Sequence, residues 1–231
     1  MKTSKIIFIS LLSTIALFIL AAAVDIRITG TRKTINPSDI RVKRQTVPSF
    51  KVLYVNNSRY FDLIQNDSSF IEVSSLKIAL SPYLNYTINE DTLFVSDFNP
   101  SGKNIISIKI FSNNALKKIL LKNSEGRIYR FDSGRLSLDL DRSNVYFNQD
   151  KSERSSVKAL DILARNKSRI NIFALNVDSL GIVLNHSEAI FFNTSVKKIC
   201  GTLSDNSRIV TPQAGEISLK KDATSQIRGP M

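Results

Sequence analysis

Between Leu116 and Ile227, apolar and polar residues alternate in short runs that return about every twenty residues. The clearest copies read V-K-A-L from Val157, V-D-S-L from Val177, V-K-K-I from Val196 and A-G-E-I from Ala214, with L-K-K-I from Leu116 as the first. After each comes a second beat, a serine followed by an aliphatic: Ser143/Val145, Ser168/Ile170, Ser187/Ile190, Ser207/Ile209 and Ser225/Ile227. The aligned aliphatics Leu136, Leu160, Leu180, Ile199 and Ile217 stand 24, 20, 19 and 18 residues apart. Units of this size cannot bury an apolar face alone, so the period predicts a solenoid of stacked units.

Within a unit the apolar positions recur every second residue, which is strand periodicity. Counting from the aligned aliphatic, the next inward column holds Leu138, Ile162, Ile182, Gly201 and Leu219, and the third holds Leu140, Ala164, Leu184, Leu203 and Lys221. A second strand follows each serine and carries most of the aromatics, among them Tyr146, Phe147, Phe173, Phe191 and Phe192. Between the strands lie polar bends such as 141–144, 165–168 and 204–207, whose Asn, Ser and Asp side chains bond to nearby backbone. The expected fold is all-β: a single-stranded, right-handed parallel β-helix with an N-terminal β cap, preceded by one N-terminal transmembrane helix. A leucine-rich repeat lacks its defining frame here. A run of antiparallel hairpins fits the like-with-like columns less well.

Residues 1–24 read as a membrane anchor or signal sequence. Lys2 and Lys5 precede an apolar run from Ile6 to Val24, about 28 Å long as a helix and close to a ~30 Å hydrocarbon core, so residues 6–24 are expected to contact the bilayer. The length favours an uncleaved anchor, whereas Ala21-Ala22-Ala23 offers a cleavage site. The basic start places the N-terminus in the cytoplasm, but the far flank is also rich in Arg and Lys, and the two signals oppose each other. Residues 25–50 read as a basic linker interrupted by Pro37 and Pro48, with its charge available to anionic lipid. The β-helix domain spans 51–231, with cap strands over 51–114 and repeats over 115–227. The stretch 148–156 breaks the period without an apolar anchor, so Asp150, Lys151, Glu153 and Arg154 are a candidate contact loop. At the other end Lys220, Lys221 and Arg228 are candidate guards of an exposed strand edge, with the final unit ending at Ile227 and no long cover after it.

The chain has 231 residues, 42% of them hydrophobic, enough for one elongated domain. Its net charge of +12 raises nucleic acid as a partner, but Lys and Arg are spread along the whole chain without a nucleic-acid-binding motif, so none is expected. The single Cys200 cannot close an internal disulfide, and the single His186 lies in a corner. Asp139 and Asp161 fall in different outward columns and Asp178 on another face, so no column stacks carboxylates as glycoside hydrolysis requires. Without a phosphate loop, a metal-spaced ligand set or a nucleophile elbow, no catalytic residue, metal or cofactor is expected.

Three stretches carry a family resemblance. They are R-Y-F-D-L-I-Q-N-D-S-S-F-I-E-V with the later N-E-D-T-L-F-V, then I-S-I-K-I-F-S-N-N-A-L-K-K-I-L-L-K-N-S-E-G-R-I, then the repeats themselves. From about Tyr60 to Ile227 the chain resembles the bacterial auto-transporter adhesin family, by its head GIN domain. The corners depart from that family, being Asn, Lys, Asp and Ser where it is Gly-rich. The resemblance implies a non-catalytic adhesin-like β-helix exported to the bacterial cell envelope; with the N-terminal apolar run, the expectation is a single-pass inner-membrane anchor and a protein or glycan ligand. The alternative is an exported partner-binding or envelope-sensing module, and third a polysaccharide-active β-helix enzyme.

Overall fold

The computed structural model describes residues 11–21, 39–76, 85–97, 105–148 and 155–230. Met1–Asp39 and Ile40–Met231 form separate compact units. In the first, residues 11–21 are helical. This corrects the expected transmembrane helix: eleven residues rise about 16 Å, half of a hydrocarbon core. Among the described residues no helix is long and apolar enough to cross a membrane. The described helix falls short in length rather than in composition, and the rest of the apolar run lies outside the described residues.

The unit from Ile40 is all-β. In chain order its strands are β1 (Ile40–Thr46), β2 (Val52–Asn56), β3 (Arg59–Gln65), β4 (Phe70–Leu76), β5 (Asn85–Asn89), β6 (Thr92–Ser96) and β7 (Ile105–Ser112). The stack continues with β8 (Lys118–Lys122), β9 (Glu125–Tyr129), β10 (Asp132–Asp141), β11 (Asn144–Phe147), β12 (Ser155–Arg165) and β13 (Arg169–Phe173). It ends with β14 (Leu175–Asn185), β15 (Glu188–Phe192), β16 (Ser195–Ser204), β17 (Arg208–Val210), β18 (Gln213–Lys221) and β19 (Gln226–Arg228).

Long strands β10, β12, β14, β16 and β18 lie side by side, all parallel, in one sheet. Their short partners β11, β13, β15, β17 and β19 do the same in a second. Each coil of the solenoid contributes one strand to each sheet, and the inward side chains of both meet in one core. The register places Leu136, Leu160, Leu180, Ile199 and Ile217 in a single column. The columns of Leu138 and Leu140 follow two and four residues on. Leu160, Leu180 and Leu184 are fully buried between neighbours above and below. Period-two patterning sets this register strongly, because a one-residue slip would turn every buried aliphatic to solvent.

Two positions differ from the sequence expectation. Ile119 of L-K-K-I pairs with Leu138, not Leu136, so the first copy sits two residues out of phase. A two-residue slip keeps Ile119 and Leu121 facing inward, which is why the pattern does not reveal it. In the second sheet Ala189, not Ile190, stacks between Ile170 and Ile209 and is fully buried. The inward residue stands two after the serine in each of these coils, and Ala fills the position with little hydrophobic signal.

The N-terminal strands do not join the stack in chain order. β2 is bonded on one side to β8 and on the other to β6, and β3 lies between β9 and β7. The coil made by β2 and β3 is therefore enclosed between a later coil and the rest of the cap. β4 and β1 extend the second sheet antiparallel, and β5 closes the first in the same manner. β1 falls within the stretch read as linker. Its Arg44 pairs with Glu72 at 3.2 Å and lies 4.3 Å over the Phe70 ring, so part of the basic charge is tied to the cap. Gly126 faces Phe61, and a Cβ there would overlap the ring: the missing side chain of one coil is filled by the large one of the next.

Candidate functional site

The first corner of every coil is built on the serine beat. Ser58, Ser124, Ser143, Ser168, Ser187, Ser207 and Ser225 are all buried. The backbone N–H of one serine donates to the hydroxyl of the serine in the next coil: Ser58 to Ser124 at 3.2 Å, Ser124 to Ser143 at 3.1 Å, Ser143 to Ser168 at 3.1 Å. The same pattern joins Ser187 to Ser207 and Ser207 to Ser225, whereas the Ser168 N–H donates to Arg165 O of its own corner at 3.2 Å. The hydroxyls from Ser58 to Ser207 in turn donate to a carbonyl of their own corner, as Ser143 does to Asp141 O at 2.8 Å and Ser168 to Arg165 O at 2.6 Å. Serine is the small side chain that can accept and donate at once in so tight a bend, and it satisfies backbone groups that would otherwise be buried unpaired.

From Ser58 to Ser207, the residue before the ladder serine turns the chain through positive φ. In the coils of β2 and β8 that residue is asparagine, Asn57 (φ 51°) and Asn123 (φ 48°). In the next three coils it is Arg142 (φ 50°), Lys167 (φ 67°) and His186 (φ 48°), followed by Asn206 (φ 59°). Asn and His tolerate this region, but for Arg and Lys it costs roughly 1–2 kcal/mol. The corner backbones are held by coil-to-coil bonds, Arg142 N–H to Arg165 O and Lys167 N–H to His186 O among them. Long cations thus stand, at a local cost, where the fold itself is served by asparagine.

Arg142, Asn144, Asn166, Lys167 and His186 line an open groove of about 690 Å³. A smaller hollow of about 320 Å³ continues it past Arg169 and Glu188 to Asn206 and Arg208. Among the described residues, Lys167 Nζ and the His186 ring have no hydrogen-bond or ion-pair partner. Arg142 stands 3.7 Å from Asp141, whose carboxylate also accepts Asn166 Nδ2 at 2.8 Å. Glu188 bridges Arg169 at 2.8 Å and Arg208 at 3.2 Å. Four permanent cations therefore face two carboxylates, leaving an excess of positive charge beside amides that both donate and accept.

Four ion pairs lie on the opposite sheet: Arg135 with Asp161, Arg165 with Asp139, Lys197 with Asp178 and Lys198 with Glu216. Among the described residues no group of three or more His, Cys, Asp or Glu could hold a metal ion. Lys220 and Lys221 lie on β18 and Arg228 on β19, the outermost described strands of the two sheets, and all three are exposed. Lys221 stacks over Leu203 in the third inward column. Asp150, Lys151, Glu153 and Arg154 lie outside the described residues.

The groove was not legible as a site in the sequence, where its residues fall in three separate polar bends. The available signal was positional: Arg, Lys and His replace Asn immediately before the ladder serine in consecutive coils.

No family model matches the chain, and no curated protein matches it. Solved structures do. A "putative adhesin" of Parabacteroides distasonis ATCC 8503 is similar at a TM-score of 0.53 and 15% identity, covering 83% of this chain and 93% of that one. A "putative adhesin" of Bacteroides fragilis NCTC 9343 gives 0.52 at 14%, covering 82% and 96%. A "putative lipid binding protein" of Parabacteroides distasonis gives 0.51 at 12%, covering 84% and 98%. At these identities the likeness shows a shared fold.

Proposed function

We propose that the chain is a non-catalytic, adhesin-like protein of the bacterial cell envelope, of the head GIN type its sequence resembles. The observation that carries this is the row of corner side chains Arg142, Lys167 and His186, held on a rigid stack at positions where the fold prefers asparagine. A binding surface needs side chains fixed at regular spacing on a scaffold that does not rearrange, and the serine ladder supplies that scaffold. The adhesin names of similar structures and the pairing of carboxylates with Arg and Lys on the opposite sheet support binding over catalysis. The lipid-binding name of one similar structure is not matched by the groove, which among the described residues is lined by no apolar side chain.

Location is tested through Cys200, an exposed thiol on the outward face of β16. A maleimide that cannot cross the inner membrane should label Cys200 in intact cells. Labelling seen only after lysis would place the chain inside the cell and end the envelope assignment.

A further inference from the structure

We propose that the corner groove binds an acidic polysaccharide, a chain of sugars carrying carboxylate or sulfate groups; this rests on the solenoid being a displayed binding surface. The row runs along the stack axis through Arg142, Lys167, His186 and Asn206, one corner per coil. Coils in such a stack repeat every 4.7–4.9 Å or so, and three steps span about 14 Å, the length of a short oligosaccharide rather than of one ion. A linear ligand with regularly spaced anionic groups fits a row that sets Arg142 and Lys167 on successive coils beside polar His186 and Asn206.

The lining chooses among polyanions. Asn144 and Asn166 offer amides beside Arg142 and Lys167, and Asn206 extends them past His186. Amides that donate and accept answer sugar hydroxyls, while the cations answer the acidic groups. Single-stranded nucleic acid binds largely by stacking bases on aromatic rings, and among the described residues no aromatic ring other than the His186 imidazole lines the groove. A phospholipid needs an apolar wall for its chains, and the described lining residues provide none. Lys167 and His186, lacking partners of their own among the described residues, can engage a ligand without first breaking an ion pair.

The test uses the full chain with polygalacturonate and chondroitin sulfate as acidic probes and dextran as the neutral one. The double variant Arg142→Asn, Lys167→Asn restores the corner residue of the earlier coils, so its melting temperature should equal or exceed that of the wild type. Its affinity for at least one acidic probe should fall tenfold or more. The double variant Lys197→Asn, Lys198→Asn removes the same charge from the opposite sheet and should bind within twofold of wild type. Equal losses in both variants would reduce the effect to net charge and overturn the proposal. So would dextran binding as tight as the acidic probes. Tighter, groove-dependent binding of an oligonucleotide or of phosphatidylglycerol vesicles would overturn it in favour of that ligand. Any of these failures leaves the Cys200 labelling result standing, so the ligand class and the envelope location fall separately.

Discussion

Single residues decide whether neighbouring coils can close on each other. The Ser143 hydroxyl accepts from the Ser124 N–H and donates to Asp141 O in a buried corner. Ser143→Ala should therefore cost about 1–3 kcal/mol, the penalty for unpaired buried polar groups, read from denaturant unfolding. A loss within about 0.5 kcal/mol, the range of an ordinary surface change, would show that the ladder contributes nothing. Gly201 sits in an inward column at φ 157°, and a Cβ there would overlap the backbone oxygen of Ile182. Gly201→Ala should cost about 1–3 kcal/mol by overpacking. Asp222 shapes the last corner by accepting the Asp205 N–H at 2.7 Å and the Ser225 N–H at 2.8 Å. The Asp205 backbone bond, foremost, and bonds from Ser225 and Thr224 hold its carboxyl well below the usual carboxylate range. A lowered folded-state pKa contributes stability above the ordinary value of about 3.9 that fades as pH falls below it. Amide exchange at Gln226–Arg228 should accelerate below that pH in the wild type, relative to its intrinsic rate, and Asp222→Asn should abolish the acid dependence. At this scale the sequence was legible wherever an inward residue is a large aliphatic. It failed at Ala189, whose small side chain is indistinguishable from an outward position until the serine spacing is applied.

Among elements, alternation identifies strands and their faces but not their pairing phase. The long strands β10 to β18 repeat three inward columns, so their register could be read from residue types alone. β8 is five residues long and presents two inward residues, which fit equally in either phase, hence the slip of L-K-K-I. β1 was hidden because its charge and flanking prolines read as linker, although an edge strand is where exposed Arg and Lys are favoured. Leu184 lies fully buried between Ala164 and Leu203. Leu184→Asp should cost on the order of 3–5 kcal/mol, as an uncompensated buried charge does, and remove protease resistance. Wild-type resistance would contradict the register. On β18 we propose that Lys220 and Lys221 keep an open edge from pairing with another copy. Changing them to Val and Leu should turn a monomer into an associating species in a solution mass measurement, and an unchanged mass would remove that role.

For the molecule as a whole, the repeat announced a solenoid because its period is shorter than any self-sufficient unit. What the repeat could not announce was the enclosed position of the β2–β3 coil, since the strands on both sides of it come later in the chain and the cap has no period to follow. The charge distribution was equally hidden. The net charge of +12 reads as diffuse along the sequence, yet coiling brings Arg142 and Lys167 together at the first corner with Arg169 and Arg208 beyond them. That corner row exists only if successive coils stack in parallel. Spin labels at Ser137 and Ser218, in a chain with Cys200→Ser, measure this directly. These positions share one outward column through Asp161, Gly181 and Cys200, four strand steps apart. Parallel coils predict a single separation of about 19 Å, four spacings of 4.7–4.9 Å or so. A meander of antiparallel hairpins would put eight strand steps between the labels, and a distance near 38 Å would contradict the stack and every row built on it.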